Sequence, residues 1–182
     1  MKYVLIALIV AVVLAAWYFI STSNKFVVLQ NKVEEAFATM DVYLAKRAEL
    51  IPNLVATVKG YAKHETEALE KVIAARNSAH TTNEKIEAET QVTTAVRGLL
   101  ALAEQYPDLK ANTNFLNLQS QLGSIEEDVA TARRYYNGVV RQYNTGIQTF
   151  PASIVANSKG LQKAALFEVA DDSQRKAVKV EF

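Results

Sequence analysis

The chain is 182 residues long, enough for one globular domain with an appendage and too short for a large multidomain enzyme. Its formal charge is +1, and residues 25–182 carry 19 basic and 19 acidic side chains, so the concentrated positive field that nucleic-acid binding needs is missing. Cysteine is absent and histidine occurs twice, which removes disulfides, thiolate metal sites and a cysteine nucleophile, while 6 Gly and 3 Pro disfavour an all-β or loop-rich fold.

Tyr3 to Ile20 is an uninterrupted apolar run, YVLIALIVAVVLAAWYFI, without charge, Gly or Pro. As a helix it spans roughly 27 Å, close to the hydrocarbon thickness of a bilayer. A helix satisfies its own backbone amides, which is what lets such a segment sit in lipid. Tyr3 at one end, and Trp17, Tyr18 and Phe19 at the other, put amphipathic rings at the levels of the two headgroup layers. A cleaved signal peptide is the rival reading: Lys2 supplies a weak positive start, and Ser21-Thr22-Ser23 a tolerable cleavage site. The run exceeds the ~7–15 residues of a signal core, so a retained anchor over residues 1–24 is favoured, meeting the bilayer through residues 3–20. Lys2 and the α-amino group on one side nearly balance Lys25 and Lys32 on the other, and Lys46 and Arg47 further off lean the orientation slightly toward a cytoplasmic C-terminal domain. Phe26, Val27 and Leu29 are surplus apolar positions beside the anchor. They either reach a neighbouring copy or continue the interfacial part of the anchor helix.

From Lys25 the dominant signal is helical periodicity. Val33, Phe37, Met40, Leu44, Ala48, Ile51, Val55, Val58 and Ala62 recur every three or four residues and draw one apolar stripe. Pro52 falls inside it, where its ring opposes the carbonyl of Ala48; because the phase continues, a kinked helix is preferred to two helices. A second helix is expected over Glu65 to Ser78 with Leu69, Val72 and Ile73 inward. His80-Thr81-Thr82-Asn83, followed by Glu84 and Glu87, suits the start of a third. Its stripe is Ile86, Thr93, Val96, Leu100 and Ala103, and Tyr106-Pro107-Asp108 stops it.

A fourth helix opens near Asn112 or Thr113. Phe115, Leu118, Leu122, Ile125, Val129, Ala132, Tyr136, Val139, Tyr143, Ile147 and Phe150 alternate steps of three and four up to Pro151. Gly123, Gly138 and Gly146 each cost ~1 kcal/mol against Ala inside a helix, and close helix packing is the favoured reason for them. The expected fold is all-α: an N-terminal transmembrane helix followed by an antiparallel four-helix bundle with long helices over residues 25–151. In the tail, residues 152–182, Leu161, Leu166 and Phe167 predict a short helix, and Val178, Val180 and Phe182 an extended strip.

Reactive constellations are scarce. His64 and His80 read as solvated helix-end residues, and His64-Glu65-Thr66-Glu67 lacks the second His of a zinc helix. Glu34-Glu35 and Glu126-Glu127-Asp128 read as solvated faces, because a di-metal bundle needs inward Glu-x-x-His elements that this sequence does not contain. There is no Gly-rich phosphate loop, nucleophile elbow or kinase signature. Arg133, Arg134 and Arg141 interleave with Tyr135, Tyr136 and Tyr143, but two of these tyrosines belong to the stripe, and Glu127 and Asp128 stand a turn away to pair with the arginines. An anionic lipid or a partner is the lesser reading of that patch. No catalytic, cofactor-binding or metal-ligating residue is assigned, and no enzyme activity is expected.

Three motif blocks resemble the LemA family. The first is Arg47-Ala48-Glu49-Leu50-Ile51-Pro52-Asn53-Leu54-Val55 with Thr57-Val58-Lys59-Gly60-Tyr61-Ala62 and His64-Glu65. The second is Tyr106-Pro107-Asp108-Leu109-Lys110-Ala111-Asn112 with Phe115 and Leu118. The third is Ala132-Arg133, Tyr136-Asn137, Tyr143-Asn144, Ile147 and Phe150-Pro151. The ending, Phe167-Glu168 and Lys179-Val180-Glu181-Phe182, is similar too. The resemblance covers essentially the whole chain. It implies a single-pass protein of the bacterial cytoplasmic membrane with a short outside N-terminus and a cytoplasmic antiparallel four-helix domain. Relatives are linked to membrane remodelling in magnetosome formation and to the neighbourhood of HtpX-type membrane metalloproteases. No catalytic residue is carried over. The expectation is a membrane-anchored scaffold without catalysis or cofactor, acting as a homo-oligomer or on a membrane partner. A lipid-contacting remodelling protein and, last, a carboxylate-based hydrolase are the alternatives.

Overall fold

In the computed structural model the described residues are 1–62, 66–76 and 82–167. Among them all regular structure is helical: α1 Lys2–Tyr61, α2 Thr66–Arg76, α3 Thr82–Ala103, α4 Pro107–Lys110, α5 Thr113–Gln148 and α6 Ala152–Ser158. His64, Glu65, His80, the Val178, Val180 and Phe182 strip, and the side chain of Ile86 lie outside the described residues.

The expected junction between residues 24 and 25 lies inside α1, which runs unbroken for 60 residues. No glycine occurs before Gly60, and the helix continues through Pro52 as the unbroken apolar phase required. An interior Pro costs ~3 kcal/mol. Ile51, Leu54 and Val58 flank it with no exposed surface, and each buried aliphatic side chain returns about 1.5–3 kcal/mol. Their burial outweighs the lost hydrogen bond.

Two compact units divide the chain, and α1 and α5 contribute to both. One comprises Met1–Asp41 and Thr131–Leu166. Its core takes Phe26 and Leu29 from α1, Tyr143 and Ile147 from α5, and Val155 and Ala156 from α6. Phe26 and Leu29 therefore point inward, and of the apolar residues beside the anchor Val27 and Val28 stay exposed. The rings of Phe37 and Tyr136 meet edge to face at 5.8 Å.

The second unit comprises Val42–Ala130 and, among the described tail residues, Phe167. Its core joins Ile51, Leu54 and Val58 of α1 to Leu69 and Val72 of α2, Val96 and Leu99 of α3, Leu109 of α4, and Phe115 and Leu122 of α5. Ile73, expected inward, is 43% exposed. Tyr106-Pro107-Asp108 does more than stop α3. It opens α4, because proline's fixed φ and missing amide suit a first helical position, and Leu109 anchors that turn in the core. Asn112 then caps α5, its Oδ1 accepting the Phe115 amide at 3.1 Å.

The tail departs from expectation. The short helix is α6, and residues 161–167 carry no helix. Gly160, at φ +65, ends α6 in a left-handed turn: the Leu161 amide reaches the Ala156 carbonyl and the Gly160 amide that of Asn157. The following strap is held on α5 by side chains. Tyr136 donates to the Ala165 carbonyl at 2.9 Å, and Tyr143 to that of Gln162 at 3.0 Å. Asn144 exchanges two bonds of 2.9 Å with the backbone of Ala164. Leu161 thus packs on the core without being helical.

The α5 glycines do not sit at close helix contacts as a group. A methyl added at Gly123 or Gly138 meets nothing within 4 Å, and at Gly146 it meets Phe26 and Leu29 at ordinary contact distances of 3.5 and 3.6 Å. Most of the α5 stripe is buried, but Phe150 is 77% exposed, Leu118 and Ile125 are half-buried, and Val140, outside the stripe, is fully buried.

Candidate functional site

Three places gather chemistry: a buried ion cluster and an apolar groove in the second unit, and an open groove beside the apolar run in the first.

The buried cluster begins with register. Met40, Arg47 and Leu54 are seven residues apart on α1, so Arg47 stands in the inward phase, and it is 1% exposed. Its Nη2 pairs with Glu89 of α3. Its Nη1 donates to Glu126 Oε1 of α5 at 2.8 Å and to Thr93 Oγ1 at 3.0 Å. Thr93 in turn donates to Glu89 at 3.4 Å. The Arg47 Nε is buried without a hydrogen-bond partner among the described residues. Burial pushes the Glu89 carboxyl above the usual carboxylate range; the Arg47 guanidinium opposes this, and the Glu126 charge adds to it. The guanidinium forks between two carboxylates and ties α1 to α3 and α5.

Sequence reasoning missed this cluster. It placed Arg47 among the cations near the membrane and Glu126 on a solvated face. The available signals were the seven-residue register of Arg47 with Met40 and Leu54, and Thr93 within the α3 stripe. Glu34, Glu35, Glu127 and Asp128 are exposed as expected. Among the described residues, no group of three His, Cys, Asp or Glu side chains converges to hold a metal ion.

A groove of about 980 Å³ runs along α2 and α3, floored by small residues including Ala74, Ala75, Ala95, Gly98 and Ala101, and edged by Lys71, Gln91 and Gln105. In the first unit, a groove of about 810 Å³ lies between α1 and the end of α5, from Trp17 and Lys25 to Arg141 and Ala152. The apolar run beside it is exposed along its whole length, and α1 is the one described helix long and apolar enough to cross a membrane. The arginine patch is dispersed. Arg133 is half-buried, Arg134 is exposed and donates to Thr131 at 3.1 Å, and Arg141 edges the groove.

The model of the LemA family matches residues 36–182. The chain belongs to the LemA family. Protein LemA of Metamycoplasma hominis is 25% identical over 158 residues, covering 84% of this chain and 72% of that protein. Magnetosome proteins MamQ 2 and MamQ 1 of Paramagnetospirillum magneticum are each 30% identical over 74 residues, 41% of this chain and 27% of theirs. The LemA match starts at Ala36, so it takes in the Arg47 cluster and leaves the apolar run outside.

Proposed function

We propose that this LemA family member is a membrane-anchored helical interaction protein with no catalysis of its own. The observation that carries this reading is the exposed apolar run Tyr3–Ile20, continuous within one helix with a packed body. An apolar surface of that size is untenable in water and suits the bilayer. The anchor is retained and spans the bacterial cytoplasmic membrane once, with the helical domain on the cytoplasmic side. Lys25 and Lys32 support that orientation, whereas Arg47 is committed to its internal ion pairs. An antiparallel four-helix arrangement of the body is supported by contact order in the first unit: Phe37 meets Tyr136, while Phe26 and Leu29 lie at Gly146.

The partner is a second copy or another membrane protein, an HtpX-type protease being one expected class. Confinement of anchors to one plane raises their effective concentration, and the small-residue groove on α2 and α3 offers a partner helix close approach. The absence of catalysis is supported by the Arg47 cluster, whose two carboxylates are bridged by a guanidinium. Crosslinking in native membranes followed by mass spectrometry tests the reading. The expected result is a discrete species containing this chain and itself or one membrane protein; exclusively uncrosslinked monomer, with monomer alone in nanodiscs at micromolar concentration, overturns it. A second reading, direct lipid contact by the folded domain, is favoured by the groove at the end of the anchor.

A further inference from the structure

We infer that the groove between α1 and the α5–α6 turn is a binding site for the phosphate headgroup of an anionic phospholipid. This rests on the reading of residues 3–20 as the anchor.

Position comes first. The groove wall is α1 from Trp17 to Leu29, so its floor begins inside the apolar run and ends beyond it, at the depth where headgroups lie. The opposite wall is the last two turns of α5 with Pro151 and Ala152. Two large apolar side chains, Phe150 of the turn at 77% and Ile154 of α6 at 60%, are exposed. Beside the end of an anchor such residues enter the acyl boundary, and Trp17 and Tyr18 favour the same layer.

Charge comes second. Lys25 and Arg141 both line the groove, and among the described residues no carboxylate does. Two cations from different helices line one concavity in a chain whose residues 25–182 are charge-balanced as a whole. Hydroxyls of Ser21 and Thr145 supply further donors. Guanidinium and ammonium on a phosphate, with acyl chains continuing down the apolar face of α1, match both ends of a phospholipid. A soluble phosphate would leave the aromatic and apolar half of the groove unused.

Trp17 is the single tryptophan and lies in the groove, so its fluorescence reports occupancy. The full chain is reconstituted in nanodiscs with bromine-labelled phosphatidylglycerol or bromine-labelled phosphatidylcholine, and the quenching of Trp17 by each is compared. Phosphatidylglycerol is expected to quench preferentially, with roughly fivefold selectivity for each contributing charge. Lys25→Gln with Arg141→Gln should bring the two lipids to parity. Lys32→Gln, the same loss of charge further along α1, should leave the preference intact. Equal quenching of the wild type by both lipids, persistence of the preference in the double variant, or its loss in Lys32→Gln overturns the site. Abolition of the preference by inorganic phosphate would show a free-anion site and also overturn it. Quenching by neither lipid is a separate result: it removes the anchor itself.

Discussion

Arg47 of α1 and Glu89 of α3 form an ion pair with both side chains withdrawn from water, at 2% and 9% exposure. Such a pair fixes how helices meet more than it adds stability, because desolvating both charges offsets most of their attraction. Removing one partner is another matter. Arg47→Met leaves the buried Glu89 carboxyl without its cation and is expected to destabilise the second unit by about 3–5 kcal/mol. Glu126→Gln, at a half-exposed position, should cost only about 1 kcal/mol. Chemical unfolding of the detergent-solubilised chain measures both; equal small losses would mean that Arg47 is not held in the interior.

The Glu89 carboxyl makes stability depend on pH in an uncommon direction. Its folded pKa lies above the ordinary 4.5 because burial outweighs the help from Arg47. The folded state therefore holds the proton more tightly. Glu89's contribution is fully present below the unfolded value and is lost as pH rises through the folded one. Glu89→Gln, which cannot ionise, should gain stability relative to wild type as pH rises from the ordinary 4.5 through the raised folded value. A Gln variant that loses ground with rising pH would show that the ionised pair is net favourable.

Gly123 and Gly138 lie in open space on α5. Alanine there removes backbone entropy and meets nothing, so Gly138→Ala should stabilise by up to about 1 kcal/mol. A lower melting temperature would reveal a contact surface on that face, such as a partner copy.

Leu122 and Val129 are buried and Ile125 is half-buried. Leu122→Ala is expected to cost about 2–5 kcal/mol, and Ile125→Ala less than Leu122→Ala. Thermal unfolding ranks them; the reverse order would place the α5 core one position away.

Helix type and most helix ends were legible because apolar steps of three and four, prolines and the Asn112 cap act locally. The Arg47 cluster was not. The stripe was drawn through Leu44 and Ala48 because a charged residue is ordinarily excluded from an apolar face, so the heptad step from Met40 through Arg47 to Leu54 went uncounted. Met40 is inward as expected, whereas the inward residues Ala36 and Arg47 each sit one position before an expected one, Phe37 and Ala48. The strap after Gly160 was equally hidden. Leu161 and Phe167 promise burial, but what keeps the backbone extended is carbonyl capture by Tyr136, Tyr143 and Asn144, up to 29 residues away in sequence. Periodicity carries no record of such bonds.

Residues 3–20 decide whether the chain is held in a membrane. Val10→Asp and Ala11→Asp should each cost about 2.5–3.5 kcal/mol at the centre of the span and drive the chain from the membrane fraction. The most direct measurement is on the wild type: an alkaline carbonate wash of membranes, followed by intact mass of the retained protein. The expected result is the whole 182-residue chain in the pellet. A washed-out protein whose mature N-terminus lies at Asn24 would contradict it.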